Sequence, residues 1–312
     1  MAKVTVVGAG NVGATLAHVL AMRGTASEVV LVDVVEGMPQ GKALDIRESA
    51  PLGDSDCRVT GTNDLEEGVA GAAVVVMTAG LARKPGMDRM DLLRKNADIV
   101  SGAMRAVKAK APGAVVIMVT NPLDVMTFVA LRATGFPRER VLGMAGVLDS
   151  ARFRTFIAME LGVSVVDVSA MVLGGHGDTM VPLPRFSTVN GVPITELLPA
   201  DAIERLGDRT RKGGGEIVAL LKTGSAFYAP ATSAAQMVDA VLADRGHLLP
   251  ACVALEGEYG ERDLCFGVPV IVGAGGMRRI VELRLTDQEK AMLRKSATEV
   301  RKGIDEVKSI LG

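Results

Sequence analysis

Val4-Thr5-Val6-Val7-Gly8-Ala9-Gly10-Asn11-Val12-Gly13 decides the fold: a β-branched run stops at a G-x-G-x-x-G, and Ala14 to Met22 continues with a helical pattern. Gly8 permits the tight turn, Gly10 lets a pyrophosphate approach the backbone, and Gly13 lets helix and strand pack closely. With Ala9, Asn11 and Val12 they form a phosphate cradle at a helix N-terminus, where negative charge is favoured. A second strand, Val29 to Val32, runs into Asp33. A carboxylate there accepts hydrogen bonds from the adenosine ribose and repels a 2′-phosphate, which selects NAD over NADP. The bland alternative is a glycine turn serving an unrelated ligand. Ala14 stands where a Walker A loop carries lysine, and neither Tyr228 nor Tyr259 has lysine four residues on.

Outward from this motif, short apolar runs alternate with helical patterns. Arg58 to Thr60, Ala73 to Met77, Ala114 to Val119 and Val141 to Met144 read as further strands. Leu92, Asn96, Ile99, Ala103 and Val107 fall on one stripe of a helix between them. Such alternation predicts a parallel sheet covered on both faces, a doubly wound Rossmann domain over residues 1–145. From residue 146 to 312 the pattern becomes mixed α+β. A helix is predicted from Asp149 to Gly162, strands over 163–173, 185–193 and 268–272, and helices over 202–221 and 225–242. Thr286-Asp287-Gln288-Glu289 predicts a capping box opening the last helix, whose apolar stripe is Leu293, Ala297, Val300, Ile304, Val307 and Leu311. No linker-like tract separates the two parts.

The 312 residues carry 35 Lys+Arg against 36 Asp+Glu, too balanced for a nucleic-acid partner. Cys57, Cys252 and Cys265 have neither disulfide nor zinc spacing, so core thiols and no metal are expected. The first residues hold no secretory h-region and no apolar run reaches bilayer length, which implies a cytoplasmic protein without a membrane partner. A mean hydropathy of +0.31 points to apolar surface covered in a homo-oligomer.

Three histidines narrow the search for a base titrating near neutrality. His18 reads as packing in the first helix and His247 as an exposed turn residue. His176, within Gly174-Gly175-His176-Gly177, sits in an open loop at a strand end. A neutral imidazole there accepts a hydroxyl proton if a carboxylate fixes its tautomer. Asp149 is the candidate partner, although an aspartate at a helix start also reads as a cap. Arg152, one turn on, shares its helix face and suits bidentate grip of a carboxylate. Arg83 and Arg89, in the basic segment after the fourth strand, add cations where doubly wound sheets bind ligands. Three arginines suit a substrate with two carboxylates and one developing oxyanion. Asn121, after the fifth strand, is placed to hold a substrate oxygen, or is simply a turn residue before Pro122.

Together, Arg83-Lys84-Pro85-Gly86-Met87-Asp88-Arg89, Thr120-Asn121-Pro122-Leu123-Asp124, Leu148-Asp149-Ser150-Ala151-Arg152 and Gly174-Gly175-His176-Gly177-Asp178 resemble the malate dehydrogenases of the lactate-dehydrogenase-like group over the full length. The resemblance implies that His176 is the proton acceptor paired with Asp149, that Arg152 binds the carboxylate beside the reacting carbon, and that Arg89 polarises the carbonyl. It assigns Arg83 to the distal carboxylate, where lactate-specific relatives usually carry glutamine. It places Asn96, Val119, Thr120 and Asn121 against the cofactor, with Asn121 also on substrate. The expected reaction is reversible hydride transfer between (S)-malate and NAD, a step of the tricarboxylic acid cycle. The expected assembly is a homo-oligomer, a tetramer favoured over a dimer. The rivals are a lactate or broader 2-hydroxy acid dehydrogenase, an NAD-dependent glycosidase, for which the chain shows no clear metal-ligand cluster, and a silent NAD sensor.

Overall fold

The computed structural model describes residues 2–81 and 89–311. The first half runs β1 (Lys3–Val7), α1 (Asn11–Met22), β2 (Glu28–Val32), α2 (Met38–Ser49), β3 (Arg58–Thr62), α3 (Leu65–Val69), β4 (Val74–Met77), α4 (Arg89–Lys110), β5 (Val115–Met118), α5 (Leu123–Thr134) and β6 (Val141–Gly143). Its strands are parallel and ordered β3-β2-β1-β4-β5-β6, so the chain reverses direction of winding between β1 and β4. Val74 to Met77 and Val115 to Met118 are buried on both faces, which is why they lack polar alternation. The crevice at a reversal of strand order, beyond the carboxyl ends, is the ligand site of such sheets.

The second half adds α6 (Gly146–Leu161), β7 (Val168–Ser169), β8 (Val172–Leu173), β9 (Val181–Pro182), β10 (Thr188–Val189), β11 (Val192–Pro193), α7 (Ile194–Leu197), α8 (Ala200–Leu221), α9 (Tyr228–Leu242), β12 (His247–Glu256), β13 (Arg262–Gly273), β14 (Gly276–Ile280) and α10 (Asp287–Leu311). β12 meets β6 antiparallel at Cys252 and Gly143, so β12, β13 and β14 extend the parallel sheet to nine strands. One sheet thus passes through both halves. Cys57, Cys252 and Cys265 are free and buried.

Several expectations need correction. The predicted strand over 163–173 is a turn and two short strands: Arg154 Nε donates to the Val168 carbonyl at 2.6 Å, the Ser164 hydroxyl accepts from Val166 N–H, and Val166 is exposed. The predicted strand over 185–193 is a hairpin, β10 and β11, after a single turn at Pro184. β12 escapes sequence reading because it contains Pro250, and proline argues against a central strand. Here Pro250 lies opposite Pro269 in unbroken register, so the two residues that lack an N–H share one pair of the ladder. Of the predicted stripe of α4, Asn96, Ala103 and Val107 are buried and Leu92 and Ile99 half-buried, while Leu93, Ala97, Val100 and Met104 widen the buried face by one residue on that side. His18 is exposed rather than packed.

At the start of α10 the capping box forms as expected. Thr286 N–H donates to Glu289 Oε2 at 2.7 Å, and Glu289 N–H to Thr286 Oγ1 at 3.2 Å. Arg185 grips the same Glu289 at 3.1 Å through both Nε and Nη2, tying the helix start to the loop before β10.

Candidate active site

The glycine turn after β1 has the geometry that its residue types demand. Gly8 sits at φ +107°, and a Cβ on Gly13 would stand 1.8 Å from the Gly8 carbonyl oxygen. Gly10 caps α1, and nothing lies within 4 Å of where its Cβ would be. The open side of the turn is therefore kept for something outside the chain. Asn11 and Val12 begin α1 behind it.

Asp33 follows β2. Its Oδ2 accepts from Ala9 N–H at 2.7 Å and its Oδ1 from Val35 N–H at 3.1 Å, so it braces the glycine turn itself. Gly8, Gly10, Asp33, Val34, Val35 and Ile99 line a cavity of about 600 Å³ of mostly apolar character. A second cavity, of about 430 Å³, continues along the edges of β4 and β5, between Val12, Val119, Thr120, Asn121, Arg152 and His176. Asn96 ties together the loops at Leu81, which lines both cavities, and at Asn121. Its buried amide accepts from Leu81 N–H at 2.8 Å and donates to the Leu81 and Asn121 carbonyls at 3.2 and 2.8 Å. Thr120 Oγ1 donates to the Ala79 carbonyl at 2.7 Å, drawing the β5 loop against the β4 loop.

At the far side of the second cavity, α6 begins at Gly146, three residues before Asp149. Asp149 is thus inside the first turn and is not the cap. Its Oδ2 meets His176 Nδ1 at 2.9 Å and its Oδ1 accepts from Arg152 Nη1 at 3.3 Å. The carboxylate is 2 % exposed and the imidazole 17 %. With Nδ1 engaged, the imidazole has its other nitrogen to present to the cleft. Burial disfavours the imidazolium, but Asp149, by charge and hydrogen bond, and then Asp124 outweigh it, and Arg152 opposes them weakly. The net effect holds the His176 pKa above the usual histidine value.

Arg152 lies against α8. A Cβ on Gly213 would come within 3.2 Å of its Cδ and one on Gly214 within 3.5 Å of its Nη2. Glycines in a helix interior are costly, and here they admit a guanidinium. Arg83 lies outside the described residues, as does the side chain of Arg89, whose backbone opens α4.

Sequence reading gave no role to Asp124, in the first turn of α5. It is 5 % exposed and its Oδ2 accepts from His176 N–H at 2.8 Å. The available signal was a lone carboxylate among Leu123, Val125 and Met126, where an acid at a helix start reads equally as a dipole partner. Ser296 was also missed. It accepts from Gly175 N–H at 2.9 Å, and its serine looks ordinary in an amphipathic helix.

A doubly wound sheet with a phosphate-type turn at its switch point, and a histidine–carboxylate pair with an arginine beside it in the same cleft, define a nucleotide-dependent dehydrogenase. The chain belongs to the lactate/malate dehydrogenase family: residues 2–143 match the NAD binding domain and residues 146–311 the alpha/beta C-terminal domain. The malate dehydrogenase of Thermomicrobium roseum is 56% identical over 308 residues, 99% of each chain. The structure of the malate dehydrogenase from Salinibacter ruber superposes with a TM-score of 0.94 at 52% identity, covering 99% of this chain and 98% of that one. The lactate dehydrogenase from Cryptosporidium parvum, solved with lactic acid and nicotinamide adenine dinucleotide, gives 0.93 at 41% identity, covering 97% of each.

The cofactor is NAD. The residues fit it: the unfilled space at Gly10, the helix N-terminus beneath it and the two joined cavities provide a pyrophosphate seat with room on either side. Among the described residues no group of His, Cys, Asp and Glu is placed to hold a metal, and no helix is long and apolar enough to cross a membrane.

Proposed function

We propose that the chain is an NAD-dependent malate dehydrogenase, interconverting (S)-malate and oxaloacetate. The observation that carries this is the 2.9 Å contact between His176 Nδ1 and buried Asp149 in the cavity that also holds Arg152. Bound NAD supplies the nicotinamide that takes the hydride from the substrate carbon. His176 takes the hydroxyl proton, and Asp149 holds its tautomer and stabilises the imidazolium. Arg152 grips the carboxylate beside the reacting carbon, Arg89 polarises the carbonyl, and Asn121 steadies a substrate oxygen. Arg83 neutralises the distal carboxylate and so selects a four-carbon diacid over pyruvate. Gly8 to Gly13 seat the pyrophosphate and Asp33 faces the ribose. Val119, Thr120 and Asn121 meet the nicotinamide side, where Asn96 holds their loop. Residues 1–145 serve the cofactor and 146–312 complete the substrate site.

The full-length likeness to malate dehydrogenases supports this reading, and the lactate dehydrogenase of similar fold supplies the second, a lactate or broader 2-hydroxy acid dehydrogenase. Parallel assays of NADH consumption with oxaloacetate, pyruvate and 2-oxoglutarate separate them. Oxaloacetate is expected to dominate; faster turnover of pyruvate would overturn the assignment. Beside that activity we assign the chain to the tricarboxylic acid cycle and to the cytoplasm. The mean hydropathy of +0.31 without a membrane-crossing helix among the described residues supports a homo-oligomer, with a tetramer favoured over a dimer. Sedimentation as a monomer alone would remove it.

A further inference from the structure

The loop carrying His176 is pinned from three directions. Gly174 N–H donates to the Gly267 carbonyl of β13 at 2.9 Å, and Gly267 cannot carry a side chain, since its Cβ would stand 2.3 Å from the Gly174 oxygen. Ser296 of α10 takes Gly175 N–H at 2.9 Å and donates to Thr179 Oγ1 at 3.1 Å. Asp124 of α5 takes His176 N–H at 2.8 Å. Gly175 also packs tightly on Val300, where a Cβ would meet Cγ2 at 2.4 Å, so the loop has no slack toward α10.

Of these anchors, Asp124 is the costly one. A serine or a backbone carbonyl accepts an N–H without bringing a charge into the interior, whereas a buried carboxylate loses its hydration. Its Oδ1 is buried, with the weakly donating Cys252 thiol as the side-chain partner of the carboxyl. Burial accordingly pushes its carboxyl above the usual range, against the pull of His176. The charge is also felt by the imidazole: after Asp149, Asp124 is the carboxylate that favours the charged ring. The titratable and charged groups around the pair are Asp149 and Arg152 from α6 and the Cys252 thiol from β12. Asp178, Glu299 and Glu306 lie around a cavity of about 190 Å³ that Asp124 and His176 also line.

We propose that Asp124 is a positioning residue for His176, fixing the backbone from which the imidazole projects and facing the positive ring that forms when the hydroxyl proton is taken. Asp149 holds one ring nitrogen, and the bonds at Gly174 and Gly175 fix the chain before the histidine. The Asp124 contact adds the anchor at the His176 N–H itself. The two carboxylates divide the work, one orienting the ring and one its attachment. The proposal rests on His176 being the proton acceptor.

Asp124→Ala and Asp124→Asn in the full chain test it, with kcat and KM for malate oxidation measured across pH and NADH binding followed by fluorescence. Asp124→Ala is expected to lower kcat on the order of 10- to 100-fold with NADH affinity unchanged, because misplacement of a reacting group is felt in turnover. Asp124→Asn keeps an oxygen for the His176 N–H but no charge. It is expected to recover most of kcat while the rising limb of the pH profile moves to lower pH, since losing a nearby negative charge lowers the imidazole pKa. Wild-type kcat in a folded Asp124→Ala overturns the proposal, and so does an unmoved limb in Asp124→Asn. Should the alanine chain fail to fold, the asparagine profile decides alone. His176→Asn separates the two readings: if it retains turnover the proton-acceptor assignment falls and takes this proposal with it, whereas an inactive His176→Asn beside normal Asp124 variants sinks the proposal alone.

Discussion

The two halves of the sheet obey different rules. In the parallel half, the central strands β4 and β5 are fully buried and each crossover helix lies close to its strand in sequence, so apolar runs mark the elements with little ambiguity. In the antiparallel half, β12 and β13 form a long hairpin with facing prolines, and the pieces around the His176 loop are strands of two residues. The difference is one of range. The first half needs only local regularity to build a cofactor seat, while the second builds its chemistry from groups far apart in the chain. A lesion in the glycine turn of the first should therefore show in cofactor binding, and a lesion around the His176 loop of the second in turnover.

The largest expected effect is on the second half. His176→Asn should reduce kcat by roughly 10²- to 10⁴-fold, the usual share of a general base, while NADH fluorescence titration gives an affinity close to wild type. Joint loss of binding and turnover would break the distinction between the halves.

Arg83→Gln sharpens it, because the residue sits in the cofactor half by sequence but is assigned to substrate. The ratio of kcat/KM for oxaloacetate over pyruvate should fall on the order of 100-fold, NADH affinity being retained. An unchanged ratio refutes the assignment.

Gly13→Ala tests the first half. A methyl group 1.8 Å from the Gly8 oxygen forces the turn apart, so NADH binding should weaken and unfolding free energy drop by about 1–3 kcal/mol in denaturant titration. The smallest change is expected from Thr286→Ala, which removes one arm of the capping box of α10. It should cost about 1 kcal/mol of stability with kcat unaltered. A large fall in kcat there would show that α10 governs the His176 loop more tightly than its Ser296 contact implies.

Legibility follows the same division. The glycine turn and Asp33 were readable because their geometry is set within a few residues by missing side chains and a strand end. The capping box was readable because it is a pattern of four neighbours. Asp149 was ambiguous between cap and partner, and only the helix beginning at Gly146 settles that it is no cap. The buried face of α4 is wider than the predicted stripe, and Asn96 within it is buried for its hydrogen bonds rather than for apolar packing, reasons that hydropathy does not distinguish. Asp124 carried no local sign of its contact with His176, which lies 52 residues away along the chain.

By itself the sequence determined that the first half is a parallel sheet alternating with helices, the seat for a pyrophosphate and the inventory of charged groups, because each is written in residue type and short spacing. Only the tertiary structure decided which carboxylate meets which atom of His176, that α8 carries glycines to admit Arg152, and that one sheet runs through both halves. Those outcomes depend on burial and contact between segments remote in the chain, where the cost of an unpaired charge or a misplaced methyl appears only once the partners have been brought together.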